Sequence, residues 1–467
     1  MFEKRLFPGG IHPKEGVNGK AVNGLNPIRP LEAPPRVVIP LQQHIGAPAK
    51  AVVKAGDHVC IGQKIGEASS FVSAPVHASV SGTVHAVQDA MLANGTMVPA
   101  VIIDNDYQDE WVELYPTNHP ETISATELQT IVREAGIVGL GGATFPTAVK
   151  LTPSGGRKIE KLVINGAECE PFLTADHRLM LEKAADIIDG IRLMMLALEV
   201  DEALIGIEKN KQDAIELLSA AATGTDGIKV VGLPVRYPQG GEKQLVYALT
   251  KRQVPNGGLP LDVGVVVCNV GTVYAIDRAI REGRPLVDRI TTVGGMVNNP
   301  GNFLVRIGTP IDHLIEACGG LQPNVGQFIY GGPMMGMAIA RFDIPVTKGC
   351  SGLVALGKAM ESKESPCIKC GSCREVCPMK LFPSRIDAFV RHDRLEDAEQ
   401  LGVMNCIECG CCTFTCPAKR SLTQSMRTGK NAIQRKRRRE AAHQAEEEAR
   451  KAAEAEKTKS SENKEAK

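Results

Sequence analysis

Residues 367–378 read Cys-Ile-Lys-Cys-Gly-Ser-Cys-Arg-Glu-Val-Cys-Pro, and residues 406–417 read Cys-Ile-Glu-Cys-Gly-Cys-Cys-Thr-Phe-Thr-Cys-Pro. Both stretches have the spacing C-x2-C-x2-C-x3-C, and a proline follows the fourth cysteine. Three closely spaced thiolates can surround one face of a metal cluster, whereas the displaced fourth cysteine, before a helix-breaking proline, can reach a second cluster. Two complete runs therefore predict a compact region that binds two clusters.

The same spacing is found in the bacterial two-cluster ferredoxins, in which the fourth cysteine of each run binds the other cluster. The resemblance implies two [4Fe–4S] clusters with interleaved ligands. Cluster 1 would be held by Cys367, Cys370, Cys373 and Cys416, and cluster 2 by Cys406, Cys409, Cys412 and Cys377. Structural zinc is the alternative, but zinc sites commonly use two separated C-x2-C pairs and need only four ligands. The pattern therefore predicts transfer of single electrons.

The other cysteines have no such pattern. Cys411 lies between two predicted ligands, and we expect it not to bind a cluster because neighbouring side chains point in different directions. Five more are scattered along the chain: Cys60, Cys169, Cys268, Cys318 and Cys350. Scattered thiols are typical of a reducing compartment, which favours the cytoplasm. The first ten residues lack an apolar signal segment and no run approaches eighteen apolar residues, so we expect membrane association to be peripheral.

Composition limits the remaining possibilities. A chain of 467 residues with 43% hydrophobic residues can bury several cores, which predicts three or four domains. Because 54 Lys and Arg residues balance 53 Asp and Glu residues, the net charge gives no support for a nucleic-acid partner. We therefore expect a multidomain redox protein that does not bind nucleic acid.

From Val37 to Ile103, short apolar runs alternate with glycines, which predicts a small all-β sandwich. Its two halves resemble the hammerhead of biotinyl and lipoyl carrier domains. The hairpin that would present a modified lysine reads Glu67-Ala-Ser-Ser-Phe71 and contains no lysine. We therefore expect no covalently attached biotin or lipoyl group.

A glycine-rich stretch from Gly136 to Lys150 forms the second informative region. Glycines let backbone N–H groups approach a phosphate or a flat ring, and the lysine supplies positive charge. Such turns also occur in α/β folds without any ligand. The case is strengthened by three polar loops, at residues 165–170, 237–244 and 268–272, which follow predicted strands at 161–165, 228–233 and 263–267. A helix is predicted between them at residues 179–198. Carboxylates at such strand ends suit ribose or ribityl hydroxyls, so the loops predict one cleft.

At these residues the chain resembles the flavoprotein subunit of respiratory NADH dehydrogenase and, more closely, the RnfC family, which belongs to the Rnf ferredoxin:NAD oxidoreductase complexes. The glycine-rich stretch matches the motif GxGGAGFPTGxK, and the three loops match NADExEP, GEE and NNVET. Only the RnfC family adds the hammerhead and the paired cysteine runs in this order, so the resemblance covers nearly the whole chain. Three residues depart from the motifs: Thr144 stands where the family has Gly, Ala167 where it has Asp, and Gly241 where it has the first Glu of the GEE loop.

The resemblance implies a bound FMN and a site for NAD(H). The FMN contacts would be Gly139, Gly141, Gly142, Lys150, Asn165, Glu168, Tyr237, Gly240, Asn269 and Thr272, and the NAD(H) contacts would be Phe145, Glu170 and Glu242. No side chain is expected to act as a general acid or base, because the flavin itself exchanges the hydride.

Pattern and resemblance together predict a multidomain α/β and α+β fold. In chain order we expect an N-terminal arm (1–35), a β-sandwich hammerhead (36–105), a Rossmann-like α/β domain for FMN and NADH (125–285), a β-grasp module (286–345), a helical two-cluster domain (360–425) and a charged tail (426–467). The arm is rich in Pro and Gly, which is typical of an extended segment. The low-complexity tail favours a solvated or partly helical segment, with docking to a membrane surface or an acidic partner as the alternative.

The function implied by the resemblance is electron transfer between NAD(H) and a membrane complex. A flavin accepts a hydride in one step and releases electrons singly, whereas a cubane cluster carries one electron at a time. The chain would be a peripheral component at the cytoplasmic face of the inner membrane, whose partner subunits pump Na+ or H+ and connect it indirectly to ferredoxin. Two alternatives stay open: a flavin-free iron–sulfur wiring subunit, and a soluble NADH dehydrogenase without membrane partners.

Overall fold

The computed structural model describes residues 7–14, 19–152, 157–358 and 363–465, with side chains up to residue 448. Outside the described residues lie parts of the predicted arm (1–6 and 15–18), of the predicted Rossmann-like domain (153–156), of the predicted cluster domain (360–362) and of the predicted tail (466–467). The chain divides into two compact units, Met1–Ser362 and Lys363–Lys467.

The N-terminal segment is less extended than the sequence predicts. It contains a short helix, α1 (Lys20–Asn23), and a strand, β1 (Ile28–Pro30). The side chains of Phe7 and Ile11 are buried although they lie near the chain terminus. The described part of the arm is therefore folded into the first unit.

The predicted all-β sandwich is present. Its strands are β2 (Arg36–Pro40), β3 (Lys50–Ala51), β4 (His58–Val59), β5 (Lys64–Glu67), β6 (Val76–His77), β7 (Gly82–Met91) and β8 (Met97–Asn105). They form two antiparallel sheets, β2-β8-β7-β4 and β3-β5-β6. Along β2, Val37 and Ile39 are fully buried whereas Val38 is partly exposed. This alternation directs one face of the sheet into a core that Ile65 of the second sheet shares.

Helices and strands alternate in the next part of the chain. The elements are α2 (Ala125–Glu134), α3 (Thr147–Lys150), β9 (Lys161–Asn165), α4 (Ala175–Glu182), α5 (Ala184–Leu198), β10 (Ala203–Glu208), α6 (Gln212–Ala221), β11 (Ile228–Leu233), α7 (Glu242–Thr250), β12 (Val265–Asn269) and α8 (Val270–Arg281). The strands form a parallel sheet in the order β11-β10-β9-β12. Every residue of β10 is buried, as expected for a parallel strand covered on both faces.

The sheet register positions the predicted cleft. Asn165 at the end of β9 pairs with Asn269 at the end of β12, so the loops after these strands start at the same edge. Two predicted boundaries differ from the structure. The helix expected at residues 179–198 is interrupted at Lys183, and the strand expected at 263–267 starts at Val265, because Gly264 adopts a left-handed φ of 69°.

A mixed sheet completes the first unit. Its further elements are β13 (Asp288–Gly295), β14 (Gly301–Arg306), α9 (Ile311–Ala317), β15 (Val325–Tyr330), β16 (Met337–Ile339) and β17 (Gly352–Gly357). The strand order is β1-β14-β13-β17-β15-β16, with β1 parallel to β14. The N-terminal arm therefore supplies one edge of this sheet, and β17, which follows residue 345, lies between β13 and β15.

The second unit is helical, as the sequence predicts. Its helices are α10 (Ser372–Glu375), α11 (Pro383–Arg391), α12 (Leu395–Gln400), α13 (Cys411–Thr415) and α14 (Leu422–Glu465). Asp387 on α11 is 1% exposed and accepts hydrogen bonds from Arg391, Arg420 and Ser425. Burial opposes ionisation of this carboxyl, but these donors outweigh it and lower its pKa. Asp387 therefore fixes α11 against the start of α14.

Helix α14 includes the described part of the predicted tail. It packs against the unit as far as Ile433, whereas residues 440–448 are exposed. Among the helices that the structure describes, none has the length and apolar character needed to cross a bilayer.

Candidate functional site

One cavity in the second unit collects thiols from both cysteine runs. Cys406, Cys409 and Cys412 of the second run line it together with Cys377 of the first run. Burial raises the pKa of Cys412 to about 12, and the nearby thiols of Cys409 and Cys377 act in the same direction. The structure therefore brings together the four predicted ligands of cluster 2.

The predicted ligands of cluster 1 are only partly gathered. Cys373 is buried in a small apolar group with Cys412 and Leu422, and Cys416 packs against this group. Cys367 and Cys370 are exposed. Cys373 and Cys416, which belong to different runs, thus lie in one group, which they share with Cys412, a predicted ligand of cluster 2.

The local backbone follows from the sequence of each run. Gly371 and Gly410 have left-handed φ values of 85° and 80°, a region that glycine enters at little cost. Each glycine is the N-cap of a short helix that carries the third cysteine of its run, Cys373 or Cys412. The repeated Cys-Gly-x-Cys sequence therefore gives the two binding loops the same shape.

Cys411 is fully buried and lies in the wall of the cavity beside the predicted ligands. A hydrogen bond with Cys409, together with burial, raises its pKa. Position alone does not separate Cys411 from the ligands, so its expected exclusion from the cluster stays a prediction.

In the first unit, the glycine-rich loop is held by one hydrogen bond within the loop and by another to the first turn of α8. Gly139 N–H donates to the carbonyl of Phe145 (2.9 Å), and Leu140 N–H donates to Oγ1 of Thr272 (2.9 Å). Thr272 lies in the first turn of α8. The predicted FMN residues Gly139 and Thr272 thus belong to one connected loop pair.

Two glycines of this loop differ in their surroundings. A Cβ at Gly141 would lie 2.9 Å from the side chain of Asn269, whereas a Cβ at Gly142 would have no heavy atom within 4 Å. Asn269 is itself fixed, because it accepts a hydrogen bond from Gly271 N–H (2.8 Å) and donates one to the carboxylate of Asp176 (2.7 Å). The loop therefore approaches Asn269 closely and presents open backbone at Gly142.

The loop after β9 is tied to the loop before α7 and to α4. The Asn165 amide donates to the Gly240 carbonyl (2.9 Å). The Glu168 carboxylate accepts hydrogen bonds from the backbone N–H groups of Asp176 (2.8 Å) and His177 (3.0 Å) at the start of α4. Burial raises the pKa of Glu168, and the carboxylate of Asp176 adds to the effect. Both oxygens of Glu168 are thus engaged, and a flavin contact must share them.

Lys150 and Glu242 face each other across the cleft. The Lys150 ammonium donates to the carbonyl of Val267 (3.0 Å) and lies 3.7 Å from the Glu242 carboxylate. Lys150 ends α3 and Glu242 begins α7. A lysine predicted to bind FMN and a glutamate predicted to bind NAD(H) therefore lie together.

Glu170 is held by a different segment. It accepts hydrogen bonds from Met334 N–H (3.1 Å) and Met335 N–H (2.9 Å), and the Tyr237 hydroxyl lies 3.4 Å away. Burial raises the pKa of Glu170 to about 7. The half-buried Phe145, the third residue predicted to contact NAD(H), lies at the end of the glycine loop. The structure thus places the three predicted NAD(H) residues on separate segments.

Sequence reasoning missed two buried polar side chains beside these loops. Gln239 is fully buried, and neither atom of its amide has a hydrogen-bond partner among the described residues. Lys211 is 2% exposed and donates to the carbonyl of Ala167 (2.7 Å). Gln239 lies inside the loop at 237–244, but its burial could not be read from its neighbours, and no sequence signal marks Lys211.

The residues present fit a flavin mononucleotide. The open backbone at Gly142 supplies space, and the ammonium group of Lys150 supplies positive charge. The unsatisfied amide of Gln239 is costly in a buried loop unless a ligand pairs with it.

Four protein families match successive parts of the sequence. The family described as the RnfC barrel sandwich hybrid domain matches residues 5–108, and the Nuo51 FMN-binding domain matches residues 132–278. The SLBB domain matches residues 290–338, and the 4Fe-4S dicluster domain matches residues 359–417. The predicted FMN and [4Fe–4S] cofactors are thereby confirmed.

Curated relatives match over most of the chain. It is 47% identical over 428 residues to the C subunit of the proton-translocating ferredoxin:NAD(+) oxidoreductase complex of Clostridium ljungdahlii, covering 91% of this chain and 93% of the relative. It is 45% identical over 431 residues to the C subunit of the Na(+)-translocating ferredoxin:NAD(+) oxidoreductase complex of Acetobacterium woodii, covering 91% and 97%. A solved structure of an NAD+-reducing [NiFe]-hydrogenase in the H2-reduced state aligns with a TM-score of 0.47 at 17% identity, covering 69% of this chain and 70% of that chain.

Proposed function

Because this chain belongs to the RnfC family of ion-translocating ferredoxin:NAD(+) oxidoreductase complexes, we propose that it exchanges hydride with NAD(H) at FMN and single electrons through two [4Fe–4S] clusters. Bound FMN supplies the conversion between two-electron hydride chemistry and one-electron transfer. The match to an FMN-binding domain disfavours the flavin-free wiring alternative.

The observation that carries this proposal is the cavity that Cys377 shares with Cys406, Cys409 and Cys412. A ligand set drawn from both runs is the arrangement that two interleaved [4Fe–4S] clusters need. The wall of the cavity also contains apolar side chains: Met379, Leu381 and Met426. These side chains would exclude water from a cluster bound there, which is one way in which a protein adjusts a reduction potential.

We assign the flavin site to the residues predicted from the sequence. The glycine loop (139–142) allows the backbone to approach the cofactor. The ammonium group of Lys150 pairs with the phosphate of the cofactor in place of its present contact with the Glu242 carboxylate or the Val267 carbonyl. The remaining FMN contacts are Asn165, Glu168, Tyr237, Gly240, Asn269 and Thr272, and the NAD(H) contacts are Phe145, Glu170 and Glu242.

We also propose the finer domain assignments: a hammerhead at 36–105, a Rossmann-like domain at 125–285, a β-grasp module at 286–345 and a cluster domain at 360–425. The hammerhead carries no biotin or lipoyl group. The lysine that most closely precedes the hairpin at residues 67–71 in the sequence, Lys64, forms ion pairs with the carboxylates of Glu67 (3.0 Å) and Glu134 (2.6 Å). Intact-mass measurement of natively expressed protein should show no added group at residues 60–85; such a mass would refute this assignment.

The partners are the other subunits of a membrane complex, and the chain docks peripherally at the cytoplasmic face of the inner membrane. One relative is named as proton-translocating and the other as Na(+)-translocating, although both are similar to this chain over 91% of its length. The identity of the pumped ion is therefore a property that we assign to the partner subunits, which also link the chain to ferredoxin.

The test uses the purified full-length chain reconstituted with iron, sulfide and FMN. The proposal predicts flavin absorption bands that NADH bleaches under anaerobic conditions. Intact clusters without flavin binding would support the wiring alternative. Co-purification from native membranes with integral membrane subunits is expected, whereas recovery as a soluble NADH-oxidising protein without them would support the second alternative.

A further inference from the structure

The N-terminal arm contacts the predicted cofactor loops at two places, the first of which is the loop of Tyr237. Ile11 N–H donates to the Tyr237 carbonyl (2.8 Å), and Tyr237 N–H donates to the Ile11 carbonyl (2.9 Å). Phe7 is 3% exposed, and the Arg236 guanidinium lies over its ring, 5.8 Å from the centroid. Residues 7–11 are thus paired and packed against this loop.

The second contact is made by α1 with the loop at 168–178. The Lys20 ammonium donates to the backbone carbonyl of Glu168. Asn23 is fully buried and donates to the carbonyl of Phe172 (3.1 Å), while the carbonyl of Gly24 accepts a hydrogen bond from Arg178 (3.3 Å). The two halves of the arm therefore hold two different loops of the site.

Lys20 also lies in a group of charged residues. Burial raises the pKa of Glu168, Glu170 and Asp176, and the positive charge of Lys20 opposes the effect at each of them. Lys211 lies in the same group, and its pKa is lowered by burial and then by Lys20. Lys20 itself is only half-buried, whereas Lys211 is 2% exposed. Of these two lysines, Lys20 is therefore the more exposed to solvent.

We propose that two described segments of the N-terminal arm, residues 7–11 and 20–24, form one wall of the nicotinamide-nucleotide site and that Lys20 is its positioning residue. Glu168 has a left-handed φ of 42°, a strained conformation for a residue with a side chain, and Lys20 holds the carbonyl of this residue. The Lys20 contact thereby fixes the loop that carries Glu170, a predicted NAD(H) contact. Its charge also attracts the anionic dinucleotide. This inference rests on the proposed function and adds a positioning residue to the nucleotide site.

The experiment compares three variants of the full-length protein with FMN and both clusters bound. Lys20→Met removes the charge, Lys20→Arg keeps it, and Lys14→Met removes an exposed lysine elsewhere on the same arm. NADH oxidation by ferricyanide gives KM and kcat. We expect Lys20→Met to raise the KM for NADH roughly tenfold, the size of effect typical of one charge-assisted contact, with kcat within about twofold. Lys20→Arg should restore most of the affinity, and Lys14→Met should behave as the wild type.

Ionic strength provides a second readout that a purely structural role would not change. Salt should raise the KM of the wild type more steeply than that of Lys20→Met, because only the wild type has this charge to screen. Equal KM values for wild type and Lys20→Met would overturn the inference while leaving the proposed function intact. Equal losses of FMN and thermal stability in Lys20→Met and Lys20→Arg would also overturn it. A wild-type protein that binds FMN but does not react with NADH would overturn both.

Discussion

The cysteine-rich unit and the predicted flavin loops (residues 136–150, 165–170, 237–244 and 268–272) form their sites in opposite ways. In the second unit, two short runs specify the ligands, and the same glycine-capped turn recurs in each. In the first unit, the predicted residues come from four separate loops, which the register of a parallel sheet and the N-terminal arm bring together. A site encoded by local spacing can be assigned residue by residue from the sequence, whereas a site assembled by tertiary structure needs the fold.

The two sites also differ in how they manage buried charge. The cluster cavity is lined mainly by thiols and apolar side chains, and the carboxylate in its lining, Glu408, is paired with Arg427 and Lys430. The predicted flavin loops bury the carboxylates of Glu168, Glu170 and Asp176, and Lys20 of α1 and Lys211 lie beside them. Substitutions at the first site should therefore affect one cluster, whereas those at the second should alter loop geometry, ligand affinity and pH dependence together.

The largest effect is expected from breaking the interleaved ligand set. Cys377→Ser should eliminate the cluster held by Cys406, Cys409 and Cys412, because Cys377 lines their cavity although it belongs to the other run. Iron content and EPR spectra after dithionite reduction would measure the loss.

Two further cysteine variants control this experiment. Cys416→Ser should remove the other cluster, whereas Cys411→Ser should leave both clusters intact. If Cys377→Ser instead loses the cluster of its own run and keeps the other, each run forms a self-contained site and the interleaved arrangement is wrong.

The next effect concerns the charge at the flavin loop. Lys150→Ala should weaken FMN binding by roughly tenfold to a hundredfold, the range expected for losing one hydrogen bond to a charged group. Both clusters should remain, because the cysteine runs belong to the other unit. Flavin content after gel filtration would measure the effect, with the exposed Lys158→Ala as the control. Full flavin occupancy and unchanged NADH reactivity in Lys150→Ala would show that the site is elsewhere.

Burial of Glu170 predicts a pH-dependent stability. Its pKa is raised from 4.5 to about 7, so the folded state binds the proton more tightly than the unfolded chain does. This contribution, on the order of 3 kcal/mol, is complete below about pH 4.5 and is lost as the pH rises through 7. Glu170→Gln cannot titrate, so its free energy of unfolding should fall less steeply between about pH 4.5 and 7 than that of the wild type. Parallel slopes would contradict a buried, protonatable Glu170; the exposed Glu113→Gln should keep the wild-type slope.

The smallest effect is expected from replacing the buried amide of Gln239. Gln239→Leu removes an amide with no partner among the described residues, so the cofactor-free protein should gain about 1 kcal/mol in free energy of unfolding while FMN affinity falls. The matched control is Gln129→Leu, which removes a hydrogen bond to the carbonyl of Leu151 (2.6 Å) and should lose stability. A Gln239→Leu protein with unchanged FMN affinity would show that Gln239 does not face the flavin.

The sequence predicted most of the fold because apolar periodicity reports directly on buried strands and helices. Strand 161–165 and strand 228–233 were predicted with the boundaries that the structure has. The break at Lys183 was missed because the apolar pattern continues across it, and the edge strand of the arm was missed because its partner lies far away in the sequence.

The candidate sites were predictable to different degrees because only some of their features are local in sequence. Cysteine spacing determined which thiols could share a cavity, including Cys377. By contrast, the roles proposed for Lys20 and Gln239 depend on what surrounds them, namely the carbonyl of Glu168 and a buried loop without a partner for the amide among the described residues. Neither environment is local in sequence, so periodicity and motifs could not reveal it.

An anaerobic NADH titration of the reconstituted full-length protein would show whether this chain converts hydride chemistry into single-electron transfer. Absorption would follow the flavin, and EPR of the same samples would follow the clusters. We expect NADH to bleach the flavin and also to produce the EPR signal of reduced [4Fe–4S] clusters, and we expect Cys377→Ser to lower the cluster signal while the flavin still bleaches. Bleaching of the flavin without any cluster signal in the wild type, at potentials where dithionite reduces the clusters, would show that electrons do not pass from the flavin to the clusters.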